Sequence, residues 1–390
     1  MLLPNCSKPN FKTKIIITKH IKYYSTTYNQ LIQNSVENIN QILEKNDRSS
    51  YILSRYIPEP ARNTFMAIRA FNLEINKINE GGLNQQSIAS KASKQMSQTL
   101  GMSTSDLKFK FWSDLLLRVF TDNNSTSDLG EPIAILLRDA LNQNLNLDIT
   151  YFQKFLQTRR SFIKNNASFM NTNEICSYGE GTYSQLNYLT QNLLLSPQIS
   201  PSSIKLLENS TQLQSNIIDI AAHIGQATAI ASMIQGLKYY ATSRNQITLP
   251  IDLMNNENLS QESILKLFNG SISDEEEINE IKDKLKQVVY NTAIVANDHI
   301  LTAQKKLQDF KLEVPNVVSS SNDLKLQKFS KNWKGKIPDS IFTPLMICIP
   351  TNLFLKKLEK NDFDILNLNF QQPEWRLAWI SFKDYYQRKI

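Results

Sequence analysis

Apolar side chains recur at three- and four-residue spacing along nearly the whole chain, and period-two alternation is essentially absent. That spacing follows the 3.6-residue turn of an α-helix, so the pattern predicts packed helices without a sheet. The segment from about Asn38 to Tyr56 is amphipathic, and Pro58 and Pro60 then punctuate it. Pro60 is placed as the first residue of the next helix. In that helix Phe65, Ile68, Phe71, Ile75 and Ile78 form a core-facing stripe that Gly81-Gly82 ends. After a polar stretch, Ser87–Leu100, the period resumes with Leu107, Phe111, Leu115 and Val119; Asn123–Gly130 reads as a loop. Further helical patterns cover Pro132–Leu145, Tyr151–Ile163 and Ile175–Leu195. A long apolar helix is expected over Ile204–Tyr240, closed by Leu249-Pro250, with a polar loop to about Gly270. Ser273 and Glu276 have the spacing of a capping box. The helix they open carries Ile281, Leu285, Val289 and Ala293, with acids first and lysines after, as the helix dipole favours. Asp274–Glu277 therefore reads as a charged helix start and not as a metal site. A mobile linker, Val314–Asn322, is expected before the last helices, whose closing stripe is Trp375, Trp379, Phe382 and Tyr386.

Composition narrows this to one all-α domain. The chain has 390 residues, 41% hydrophobic and 20% charged, with only 10 glycines, too few for glycine-rich phosphate loops or many sheet turns. Ile220–Leu237 carries no formal charge, which raises the question of a membrane span. His223, Gln226, Thr228, Ser232 and Gln235 dilute it, and each is costly in lipid without a partner, so a central core helix is the better reading.

The net charge of +7 is concentrated at the start. Lys8, Lys12, Lys14, Lys19 and Lys22 all precede the first acid, Glu37, and the remainder carries 7 − 5 = +2. A near-neutral body is a poor nucleic-acid binder, because such binding rests on many phosphate contacts. The acid-free, lysine-, serine- and threonine-bearing opening reads as a mitochondrial import presequence over 1–30, with Ile15, Ile16 and Ile17 as its apolar face and a cleavage near Tyr24–Ser25. The helical domain then spans 38–390.

Candidate chemistry is sparse. The three cysteines, Cys6, Cys176 and Cys348, show no metal spacing, and His20, His223 and His299 are the only histidines, so no zinc or iron–sulfur site is expected. His223 and His299 each read as structural, and no nucleophile elbow, phosphate loop or dinucleotide fingerprint occurs. No catalytic, cofactor-binding or metal-ligating residue is expected. Arg159, Arg160, Arg55 and Arg62 are basic candidates for partner or lipid contact, with solvated helix faces as the plainer reading.

An ordered set of segments, from about Gln41 to the C-terminus, resembles the squalene/phytoene synthase family. The set comprises Tyr51–Glu80 (YILSRYIPEPARNTFMAIRAFNLEINKINE), Lys108–Trp112 (KFKFW), Tyr178–Leu186 (YGEGTYSQL) and Ile224–Pro250. The resemblance implies an isoprenoid-synthase-like helical bundle around a central cavity. It also implies two carboxylate pairs at i and i+4, whose magnesium ions hold an allylic diphosphate. Here those positions are Asn76 and Glu80, and Gly236 and Tyr240, so three of the four carboxylates are missing. Glu74 lies about 200° around the helix from Asn76, and no Asp-x-x-x-Asp occurs anywhere in the chain.

RAFNLE at Arg69–Glu74, Phe111–Trp112, IGQA at Ile224–Ala227, TLPIDL at Thr248–Leu253 and FLKKLEKNDFDI at Phe354–Ile365 resemble the mitochondrial branch of this superfamily, the complex I assembly factor 6 type. That resemblance implies a non-enzymatic, matrix-side factor for NADH:ubiquinone oxidoreductase. Its partners would be complex I subunits or other assembly factors, with peripheral contact with the inner membrane, an apolar ligand admitted in the cavity, and no cofactor. The alternatives are a diverged prenyl synthase and an isoprenoid- or lipid-binding protein.

Overall fold

The computed structural model describes residues 11–78, 102–122, 129–165, 168–368 and 374–390, with the side chains of 11–26 left aside. Among these residues the architecture is helical, and the one β-type contact is an isolated bridge between Phe169 and Pro250. The helices are α1 (Phe11–Asn46), α2 (Arg48–Leu53), α3 (Ala61–Asn76), α4 (Thr104–Thr121), α5 (Pro132–Asn142), α6 (Ile149–Lys164), α7 (Thr172–Gly181), α8 (Tyr183–Leu194) and α9 (Pro201–Glu208). The second half adds α10 (Thr211–Arg244), α11 (Ile251–Asn256), α12 (Gln261–Asn269), α13 (Glu275–Ser320), α14 (Leu324–Ser330), α15 (Asp339–Phe342), α16 (Cys348–Lys360) and α17 (Arg376–Gln387).

The stripe on α3 is buried as its period requires. Phe71 is fully enclosed and meets Trp112, Phe152 and Phe155 edge-on or tilted, at 5.2–5.5 Å between ring centroids. Quadrupole-favoured contacts of this kind add to the area each ring removes from water. Pro60 caps α3 instead of entering it, Lys77 follows its last residue, and Gly81-Gly82 lie outside the described residues.

The core is organised by α10, which packs along α13 and against α7 and α8. It is long and apolar enough to cross a membrane, yet 61% of its most apolar window is buried inside the protein, as a core helix demands. Its close approach to α7 and α8 depends on glycine. A Cβ on Gly225 would lie 2.4 Å from the Ser184 backbone nitrogen, and one on Gly179 would lie 2.8 Å from the Gln226 Cα. Neither contact could be relieved by turning a side chain.

Several expected boundaries are corrected. The pattern over Ile175–Leu195 breaks at Thr182, whose backbone (φ −126°, ψ −84°) separates α7 from α8. The long apolar helix begins at Thr211, where Ser210 accepts from the Leu213 amide, and α9 is separate. The polar loop before Gly270 contains α11 and α12, the latter capped by Ser260 and anchored by buried Ile264. Asp274, not Ser273, caps α13 by accepting from the Glu276 amide. The expected linker Val314–Asn322 is helical to Ser320. Pro315 removes one donor there, but Val314, Val317 and Val318 bury at helical spacing and keep the turn in place.

Two aromatic stripes were misassigned. On α4 the buried face is Phe109, Trp112, Leu115, Leu116 and Val119, while Phe111 is 55% exposed. Two apolar patterns one residue apart compete there, and Trp112 wins because it reaches Phe71. On α17 the core takes Leu377 and Ser381, leaving Trp375, Trp379, Phe382 and Tyr386 exposed.

Candidate functional site

The motif positions of the resemblance lie on α3 and α10. Asn76 ends α3 half-buried, and its amide donates to Asn72 Oδ1 at 3.2 Å. Glu80 lies outside the described residues. Gly236 and Tyr240 share one face of α10, close enough that a Cβ on Gly236 would meet the Tyr240 ring at 3.1 Å. Tyr240 packs under Arg244, whose guanidinium carbon sits 4.7 Å from the ring centroid. The nearby acids are engaged or remote. Glu74 pairs with Lys77 at 2.5 Å, and Asp252 is exposed and accepts from the Leu253 amide. Among the described residues no three His, Cys, Asp or Glu side chains converge as metal ligands.

Next to these positions is a buried arginine–tyrosine seam built by α6, α7, α8 and α10. Arg159 was expected on a solvated face, but it is only 2% exposed. Its Nη1 donates to the Tyr178 hydroxyl, and the Phe162 ring lies 5.6 Å from its guanidinium carbon. Its Nε and Nη2 have no hydrogen-bond partner among the described residues. Tyr178, Tyr240 and Tyr183 all lie within its electrostatic reach. Burial pushes the Tyr178 and Tyr183 hydroxyls above the ordinary phenol range, with Arg159 opposing it only in part, so both stay protonated at neutral pH. Tyr183 also bonds Ser232 and lies near Arg69, which itself pairs with Asp47 at 3.6 Å. Arg244 Nε is likewise buried without a partner.

The other basic candidates are tied down locally. Arg160 grips Asp106 at 2.6 Å through Nε, Arg62 pairs with Glu59 and two backbone carbonyls, and Arg55 bonds the Tyr51 hydroxyl while stacking on its ring.

The structure also assembles side chains that sequence distance had kept apart. Cys176 Sγ lies 3.4 Å from His299 Nε2, and His299 Nδ1 lies 2.8 Å from His223 Nδ1, a hydrogen-bonded chain across α7, α13 and α10. Burial, then Lys306 for His223 and His223 for His299, lowers the imidazole pKa values, and burial raises that of the Cys176 thiol. These shifts favour neutral groups, so the chain is a polar tie across the bundle and lacks the thiolate of an activated nucleophile. The two nitrogens of His299 point to different partners, so the three side chains do not form a convergent ligand set.

Comparison with known proteins shows what the whole chain is similar to. Assembly factor 6 of NADH dehydrogenase (ubiquinone) complex I from Homo sapiens is 24% identical over 332 residues, covering 85% of this chain and 76% of the human protein. Its homolog from Dictyostelium discoideum is 23% identical over 404 residues, covering 95% and 92% of the two chains. Among solved structures, a ligand-bound dehydrosqualene synthase superposes with a TM-score of 0.55 at 12% identity, covering 92% of this chain and 98% of that one. YisP from Bacillus subtilis subsp. subtilis strain 168 gives 0.51 at 11% identity over 91% and 98%. Both solved structures share the helical fold. The squalene/phytoene synthase family model matches residues 43–379, from the end of α1 into α17, and the chain belongs to that family.

Proposed function

We propose that this protein is a non-enzymatic assembly factor for respiratory complex I, working in the mitochondrial matrix beside the inner membrane. The observation that carries the reading is the match to relatives named as complex I assembly factor 6 over 85% of the chain. It is reinforced by neutral residues at the family's carboxylate positions Asn76, Gly236 and Tyr240. A helical shell needs only its apolar stripes to fold, so a family fold can outlast its catalytic groups and serve as a binding surface. In this reading the four motif positions, Glu80 included, hold no metal, and the partners are complex I subunits or other assembly factors. Residues 1–30 act as the import signal, and the domain begins at about residue 38.

The exposed aromatic stripe on α17 supports peripheral membrane contact. Trp379, Phe382 and Tyr386 stack along one face with Lys383 beside them, the amphipathic pairing that suits a bilayer interface. Deletion of the gene, followed by a native gel stained for NADH dehydrogenase activity, tests the assembly role. Loss of the complex I band, restored by re-expression, is expected; a normal band in the deletion strain refutes it.

A further inference from the structure

The aromatic face of α17 does not stand alone. Its outermost rings, Trp375 and Trp379, are 81% and 67% exposed, and the stripe runs through Phe382 to Tyr386. There it meets a lysine: Lys334 Nζ lies 4.3 Å from the Tyr385 ring centroid and 4.6 Å from that of Tyr386. The Lys334 carbonyl accepts from Arg388 Nε at 3.2 Å, which fixes this turn against the end of α17.

Lys334 belongs to a basic run. Residues 324–338, LKLQKFSKNWKGKIP, carry five lysines and no acid. Lys325, Lys328, Lys331, Lys334 and Lys336 are all exposed, and so are the apolar Leu324 and Phe329 among them. Buried Leu326 anchors α14 and leaves these side chains to solvent. The acids at the two borders are committed elsewhere, Asp323 to Lys205 at 2.6 Å and Asp339 to Arg388. On α17 itself Lys383 flanks the stripe, whereas half-buried Asp384 falls about 200° around the helix from Phe382.

Lysine is depleted from protein–protein interfaces, so five of them beside one face do not suit a protein partner. A bilayer surface suits both halves. Tryptophan and tyrosine favour the headgroup level, where an apolar ring body and a polar edge are both accommodated. Lysines above that level keep their water and still gain from the negative potential of anionic lipid.

We propose that α17 and the 325–336 run form one docking surface for a bilayer rich in anionic phospholipid, the rings entering the headgroup level and the lysines sensing its charge. This rests on the peripheral membrane contact assigned to α17 and adds the lipid class and the second element. The assembly role does not depend on it.

The test is co-sedimentation of the full-length protein with vesicles of phosphatidylcholine alone and of equal parts phosphatidylcholine and phosphatidylglycerol, with tryptophan emission recorded alongside. Binding to the anionic vesicles should be tighter by about tenfold or more and should fall as salt is raised. Emission should shift to the blue as Trp375 and Trp379 leave water. Lys328→Gln/Lys331→Gln/Lys336→Gln should weaken anionic binding by about tenfold at an unchanged Tm. Trp379→Ala/Phe382→Ala should lose most of the binding to either composition and most of the blue shift, again at an unchanged Tm. The amino-terminal lysines are common to every variant, so the differences report this surface. Equal binding of both compositions, or a lysine variant that binds anionic vesicles as tightly as the parent, overturns the proposal and leaves the plain membrane contact of α17 standing. Absence of binding to either composition overturns both, as does a parent dimer that Trp379→Ala/Phe382→Ala turns into a monomer.

Discussion

Arg388 and Arg159 are both enclosed by the helical bundle, at 0% and 2% exposure, yet they are held in opposite ways. Arg388 follows α17, bonds Asp339 and the Lys334 carbonyl, leaves Nη1 alone without a partner among the described residues, and lies 4.8 Å from the Phe342 centroid and 4.5 Å from that of Tyr385. Its charge is spent on closing the chain end over α15. Arg159 sits on α6 with one hydroxyl partner, Tyr178, and no partner among the described residues for Nε or Nη2. A buried charge whose partners are all internal contributes to architecture, whereas one left incomplete is a cost that folding alone does not explain.

Four perturbations sharpen this contrast. Asp339→Ala should cost about 3 kcal/mol in urea unfolding, the lower end for breaking a buried pair because Asp339 itself is half-exposed. A cost under about 1 kcal/mol would put Arg388 in the same class as Arg159. Tyr178→Phe removes the one hydrogen bond of Arg159 and should cost about 2 kcal/mol, the usual worth of a bond to a charged group. Arg159→Met, which keeps the volume and removes the charge, should stabilise the protein by about 1 kcal/mol. A loss of stability of that size would show that Arg159 is already compensated within the chain.

The smallest effect comes from the imidazole pair, a polar cluster that is complete. Burial holds the pKa values of His223 and His299 below the ordinary imidazole value of 6.5. The unfolded chain therefore binds more protons, so this contribution to stability is present above about pH 6.5 and is lost as pH falls through the lower folded values. The drop in Tm between about pH 7.5 and about pH 5.5 should shrink in a His223→Gln/His299→Gln variant. An unchanged slope would mean that neither ring titrates differently on folding.

The helices were legible wherever one apolar stripe dominated, as on α3. The misreadings share a physical origin. On α4 and α17 two faces could bury, and the choice depended on a distant ring such as Phe71 or on the closing contacts around Arg388, which local periodicity does not encode. Val314–Ser320 read as a linker because Pro315 and the serines outweighed three valines whose burial continues α13. Arg159 read as a surface charge because Gln157 and Arg160 beside it in sequence are exposed, whereas its own environment is made with α7. The Cys176–His299–His223 chain joins residues 123 and 76 positions apart and leaves no local signature.

The most direct measurement is incubation of the purified protein with magnesium and radiolabelled farnesyl or geranylgeranyl diphosphate. If Asn76, Gly236 and Tyr240 stand at the carboxylate positions, as proposed above, no release of pyrophosphate and no prenyl product is expected. Magnesium-dependent turnover that disappears on Glu80→Ala would contradict the account and restore the cleft as an enzyme active site.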